Sequence, residues 1–108
     1  MADTYKVLSQ SNPSAATVTD SYTVPASTEA IISSITVANR SIATSFRISV
    51  AIAGAADAVT QYIAYDVAIA ANEAKAFTLG ITLGAADVVR VYATLATLTF
   101  SVFGVERA

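Results

Sequence analysis

The chain has 108 residues, 55% hydrophobic and 13% charged, with no Cys, His or Trp; six basic and eight acidic side chains leave a net charge of −2. That length suits one domain, expected to span residues 1–108, whose core needs no disulfide or metal staple. The missing Cys and His exclude disulfides, thiolate nucleophiles, imidazole metal ligands and a Ser-His-Asp triad, and six basic residues scattered singly give nucleic acid no track to follow.

Taken from the start, residues 5–9 (YKVLS) predict a short first strand, with residues 1–15 able to serve as an extended arm. Ser11-Asn12-Pro13-Ser14 breaks the chain. Residues 16–24 (ATVTDSYTV) alternate, with Val18, Tyr22 and Val24 on one side. Asp20 interrupts that side, so this is an outer or edge strand. Pro25 ends it, having no amide hydrogen for a ladder.

Residues 29–53 (EAIISSITVANRSIATSFRISVAIA) are the centre of the fold. Ile31, Ser33, Ile35 and Val37 fall on one face of a first strand, opposite Ile32, Ser34, Thr36 and Ala38. Phe46, Ile48, Val50 and Ile52 share a face of a second strand, opposite Arg47, Ser49 and Ala51. Strict alternation of β-branched residues marks strands that cover a core with one face. The polar corner 39–44 (NRSIAT) reads as a hairpin loop joining them.

Gly54-Ala55-Ala56-Asp57 is a turn. Residues 61–69 follow as a strand with Ile63, Tyr65, Val67 and Ile69 on one face. Residues 70–73 turn the chain. Residues 74–81 carry Phe77, Leu79 and Ile81 on one side, with Gly80 marking a bulge. A second Gly-Ala-Ala-Asp, 84–87, precedes a strand over 88–93 with Val89 and Val91 facing one way. Residues 98–105 close the chain, Leu98, Phe100 and Val102 alternating against Thr99, Ser101 and Phe103.

About eight strands at short, regular spacing predict an all-β fold, an antiparallel sandwich that is jelly-roll-like. The immunoglobulin-like sandwich is the rival, without its Cys pair and Trp. Much of the apolar content is Ala, and Ala38, Ala51 and Ala53 are expected opposite the bulky side chains. Such flat Ala/Ser/Thr faces lose little side-chain entropy on contact. With so few charges, they point to a chain that lives covered by other chains.

Carboxylates, Tyr, Lys and Ser remain as candidates for chemistry. Asp57 and Asp87 close matching turns, but one carboxylate beside alanines is not a calcium loop; each is expected to bond its own turn. Tyr65-Asp66 and Asp20 with Tyr22 do not bring two carboxylates together as glycoside hydrolysis requires. No catalytic, cofactor-binding or metal-binding residues are therefore assigned, and the chain is expected not to be an enzyme. A sugar-binding module would have to use Tyr5, Tyr22, Tyr62, Tyr65 and Tyr92 as platforms. No apolar run reaches the roughly 18–20 residues that cross a bilayer, and the first six residues do not resemble a secretory signal.

Three stretches, YKVLSQSNPSAAT, SYTVPASTEAIISSITVANRS and LGAADVVRVYATLATLTFSVFGVE, together resemble small all-β structural proteins of tailed bacteriophages. The strongest pieces are Tyr22-Thr23-Val24-Pro25, Ile35-Thr36-Val37 with Asn39-Arg40, and Phe103-Gly104-Val105-Glu106. The resemblance implies a virion protein made in the host cytoplasm. It implies a capsid decoration (cement) protein, or a tail, baseplate or fibre component. Its partners would be the major capsid protein or other virion proteins, and copies of itself, with a homotrimer expected. No nucleic acid, membrane or cofactor is implied.

Overall fold

The computed structural model describes residues 3–108, and the backbone follows the alternation: nine strands lie in two antiparallel sheets, packed as a sandwich. The first sheet runs β1 (Asp3–Ser11), β9 (Leu98–Arg107), β3 (Glu29–Asn39) and β6 (Ala74–Phe77), with β7 (Ile81–Leu83) also paired to β3. The second runs β2 (Thr19–Thr23), β8 (Val88–Ala93), β4 (Thr44–Ala51) and β5 (Tyr62–Ile69). Counting β6 and β7 as one interrupted strand, the first strand pairs with the last, the second with the last but one, the third with β6/β7 and β4 with β5. This is the ladder of one long hairpin, rolled so that its halves face each other.

The core lies between the sheets. Phe46, Phe100, Ile32, Ile35, Ile48, Ile69, Leu98, Val24, Val37, Val89, Val91 and Val102 are its fully buried large side chains. Phe46 stands edge-on to both Phe77 and Phe100, with centroids 5.9 and 6.0 Å apart. Two of the central strands, β8 and β9, keep the predicted alternation throughout: Val89, Val91 and Ala93 point in, as do Leu98, Phe100 and Val102. The predicted edge strand around Asp20 is β2, an edge of the second sheet.

Several expectations are corrected. The corner at 39–44 is not a hairpin. β3 and β4 lie in different sheets and do not pair, so the corner carries the chain across the sandwich. Asn39 holds it: buried, it donates from Nδ2 to the carbonyls of Ile42 (2.8 Å) and Ala70 (3.0 Å) and accepts from the Ser41 amide and the Thr97 hydroxyl. A buried amide with all these partners supplies the specificity that Gly or Pro gives elsewhere.

β3 carries a register shift between Ile32 and Ser34. One extra residue there exchanges the faces. Ile32, Ile35 and Val37 are buried while Ile31 is half exposed, so Ile31 does not share the face of Ile35. β4 ends at Ala51, and Ile52 leaves the face of Phe46 to enter a 3-10 turn, 77% exposed. In β5 the backbone of Asp66 is left-handed (φ 49°) and the ladder to β4 shifts register. Ala64 and Ile69 therefore point in, while Ile63 and Tyr65 are exposed. The single strand expected at 74–81 is broken at residues 78–80, where Gly80 has φ 60° and Leu79 is exposed.

The N-terminal segment is an edge strand paired to β9 over Asp3–Ser11. Met1 and Ala2 of the expected arm lie outside the described residues.

Candidate interaction surface

Pairing and burial together define two outward faces, and they differ. On the second sheet the outward side of β4 and β8 carries Arg47, Ser49 and Ala51 beside Tyr92, Arg90 and Val88. Ser49, Ala51 and Val88 are nevertheless buried, because residues 52–61 fold back over them. Arg90 pins this cover: its Nη1 donates to the Ala55 carbonyl (2.7 Å), its Nη2 to Gly54 (3.2 Å), and its Nε to Asp20 (2.9 Å). Beyond the cover, Arg47 bonds Asp66 through Nε at 2.7 Å, and its guanidinium lies 4.2 Å from the Tyr65 ring centre and 4.5 Å from that of Tyr92. Tyr62 meets Tyr65 edge-on at 4.8 Å. Asp66 above all raises the Arg47 pKa, keeping it charged. The tyrosines that a sugar-binding module would have to use thus split: Tyr65 and Tyr92 have a ring face taken by Arg47, Tyr22 is buried, and Tyr5 is on the other sheet.

Among the described residues, the outward face of the first sheet has no such cover. One row across it reads Tyr5, Val105, Ile31, Thr82; the next reads Val7, Phe103, Ser34. Below these come Gln10, Ser101, Thr36 and Ala76, then Thr99, Ala38 and Ala74. Tyr5 is 77% exposed and Val7 and Ile31 each 50%, while Phe103 and Val105, on the central strand, are half-buried. Across these four rows there is no charged side chain. Charge begins at the end row, Asp3, Arg107 and Glu29, where Arg107 Nε donates to Asp3 at 2.7 Å. A hollow of about 350 Å³ opens where that row meets β7, lined in part by Glu29, Ile31, Thr82, Val105 and Arg107. Only Ala38 of the three alanines expected on outward faces is on this surface. Ala51 lies under the cover of the other sheet, and Ala53 sits in a turn.

At the inner edge of the same sheet Tyr22 donates its hydroxyl to Glu106, which also bonds Lys6 at 2.7 Å. Lys6 first, then Tyr22, holds the Glu106 carboxyl below its usual range. Burial first, then Glu106, pushes the Tyr22 phenol above its usual range. This trio ties β1 and β9 to β2 across the open end of the sandwich. Sequence reading did not find it, since no motif links positions 6, 22 and 106. Only the strand order brings them together.

Of the carboxylates weighed for chemistry, Asp20 and Asp57 both meet Arg90, Asp66 meets Arg47, and Asp87 lies in its own turn. Asp87 caps its own turn through Gly84 N–H (2.9 Å), as expected, and also accepts from Ala53 N–H (2.9 Å). Asp57 approaches Arg90 at 3.6 Å. No group of three or more acidic side chains suited to a metal occurs among the described residues, and no helix there is long and apolar enough to cross a membrane. In comparisons with known proteins, the chain matches no family model, no curated protein and no solved structure.

Proposed function

We propose that this chain is a structural protein of a tailed-bacteriophage virion, and most specifically a capsid decoration (cement) protein that lies on the head shell and stabilises it. The observation that carries the reading is the bare outward face of the first sheet, four rows without a charge, with Tyr5, Val7, Ile31, Phe103 and Val105 at one end. An uncharged, partly aromatic sheet face is the kind of surface whose burial drives association without chemistry. Four strands about 4.8 Å apart and about seven residues of about 3.4 Å each, from Thr99 to Val105 on the central strand, give an uncharged face of about 450 Å². That is somewhat over half of the roughly 800 Å² that one partner contributes to a standard interface.

The strand pairing supports reading the sandwich as a jelly roll, an architecture with two Greek keys and eight strands, once β6 and β7 count as one. The resemblance of the three sequence stretches supports the virion setting. In this reading the protein is made in the host cytoplasm and acts in the particle, in a homo-oligomer, without cofactor or catalysis. Its partner is the major capsid protein or another virion protein, not nucleic acid or a membrane.

The test is binding to isolated shells. Purified protein incubated with heads lacking it should co-sediment at hundreds of copies per particle. Ile31→Lys, placing a charge in the middle of the face, should lower the affinity at least tenfold while leaving the melting temperature within a few degrees. A few to dozens of copies, on tails alone, would move the protein to the tail, baseplate or fibre. Binding to neither would end the virion reading.

A further inference from the structure

The sandwich has four sheet edges, and three of them are blocked. β6 and β7 are four and three residues long, separated by a left-handed Gly80. β5 is interrupted by the left-handed Asp66. β2 has five residues and a register shift at Asp20/Tyr22, and Pro25 follows it. Short edges, bulges and prolines are how folded proteins prevent their edges from pairing with other strands.

Over its first five residues β1 is neither short, bulged nor broken by proline, and its two edge charges, Lys6 and Asp3, are paired within the sheet to Glu106 and Arg107, both at 2.7 Å. It is nine residues long, contains neither Gly nor Pro, and its register shift comes only after Val7. Asp3, Thr4, Tyr5, Lys6 and Val7 are all exposed and have β9 as their one neighbouring strand. Past the shift, the Ser9 and Ser11 hydroxyls bond that of Ser21 (2.7 and 3.1 Å), which sets β2 beside that half of the edge. A strand paired on one side still presents unpaired amides and carbonyls on the other. The partner they select is an extended strand.

We propose that this open half of β1 pairs antiparallel with the same segment of a second copy, about a two-fold axis at Tyr5. Five residues pair fully in one register only: Asp3 opposite Val7, Thr4 opposite Lys6, and Tyr5 opposite its own copy. In that register no like charges face each other, and every pair joins residues of the same sheet face, as antiparallel pairing demands. The two first sheets become one continuous sheet. The bare faces of both copies then lie on the same side, side by side, and the area available to a partner doubles. The contact is two-fold by construction, so any three-fold cluster is built by another surface. The inference stands on the edge geometry. It deepens the virion reading by naming one contact between copies.

The chain has no cysteine, so a single introduced one reports the contact cleanly. Residues directly opposite in an antiparallel pair have Cα atoms about 4.5–5.5 Å apart, within disulfide reach. Under mild oxidation Tyr5→Cys is expected to convert mostly to a covalent dimer, and Ile31→Cys, on the face but off the axis, to stay monomeric. By sedimentation, the unmodified protein should dimerise with concentration. Tyr5→Lys, which sets two ammonium groups opposite each other, should weaken that dimer at least tenfold with an unchanged melt. Cross-linking at Ile31 rather than Tyr5 would mean that copies meet face to face and would overturn the edge pairing. So would a protein that is monomeric at several hundred micromolar with no cross-link at residue 5. A monomer that still binds shells ends only the pairing; a dimer that binds no shells ends only the virion reading.

Discussion

Gly104 offers the sharpest check on the register of the central strands. It sits in the middle of β9, opposite Lys6 on one side and Ile32 on the other, beside the register shift of β3. A methyl group there would overlap the carbonyl oxygen of Ile31 and lie 3.0 Å from its carbon and 3.1 Å from the Ile32 Cα. All three atoms are backbone, so no side chain can swing aside. Gly104→Ala must push β3 and β9 apart where both are central. Overpacking of that kind costs about 1–3 kcal/mol, and one weakened ladder hydrogen bond adds about 1. The expected loss is about 2–4 kcal/mol, or a melting temperature lower by roughly 8–16 °C for a domain of this size. Two other glycines serve as controls in thermal melts. Gly80→Ala meets no atom within 4 Å but has φ 60°, so it pays only for a left-handed Ala, about 1 kcal/mol. Gly84→Ala makes one ordinary contact at 3.7 Å and should melt like the parent. If Gly104→Ala melts within 2 °C of the parent, β3 and β9 do not approach as described, and the placement of Ile31 on the outward face loses its basis.

Two further substitutions test the core and the open end. Phe100→Ala removes a fully buried ring that stands edge-on to Phe46; by urea titration it should cost about 3–5 kcal/mol, a large part of the stability of a small domain. For Glu106, the folded pKa lies below the unfolded value near 4.5. Its contribution is therefore present above that value and lost as pH falls through the folded pKa. Urea midpoints from pH 7 down to pH 3 should fall less steeply for Glu106→Gln than for the parent, and parallel curves would show that the trio with Lys6 and Tyr22 does not form.

Alternation along a chain reports which residues share a face only while the ladder stays regular. β8 and β9 are regular at every inward position, and there the sequence alone places Val89, Val91, Leu98, Phe100 and Val102 correctly. The misplaced faces of Ile31, Ile63 and Tyr65 fall at register shifts. The shift at Ile32/Ser34 and the left-handed Asp66 each insert one residue, and a one-residue insertion sends every following side chain to the other face. Neither position holds a Gly, the usual sign of such an insertion, so no residue type betrays it. The corner at Asn39 misleads for a related reason. A short polar link between two alternating runs is how a hairpin looks, and only the partners of the Asn39 amide show that the chain changes sheet there. The bare face was legible in composition, through few charges and many Ala, Ser and Thr. Its position was not, because Tyr5, Ile31 and Val105 become neighbours only through pairing with a strand some 70 residues or more away.

The contrast between the two outward faces argues for which of them the proposed partner would cover. A sandwich this small has two large flat surfaces, and each must be wet, covered by the chain itself, or covered by something else. On the second sheet the chain covers part with residues 52–61, and fills the rest with Arg47 and three tyrosines that engage one another. The arginines there are also anchored by Asp66 and Asp20, so their charges are used within the molecule. On the first sheet the chain does neither. Among the described residues no loop crosses the face, and no charge keeps it wet until the row of Asp3, Arg107 and Glu29 at its end. The same side carries the one open half-edge, at Tyr5 and Val7, so face and edge adjoin. A partner that buried the second sheet would have to displace cation–aromatic contacts and the Arg90 anchors, whereas one that buried the first would displace only water from Tyr5, Val7, Ile31, Phe103 and Val105. Under the proposed virion reading the first sheet is therefore the side expected to meet the neighbouring chain, and a contact map of the particle that placed that chain on Tyr65 and Arg47 instead would reverse the assignment.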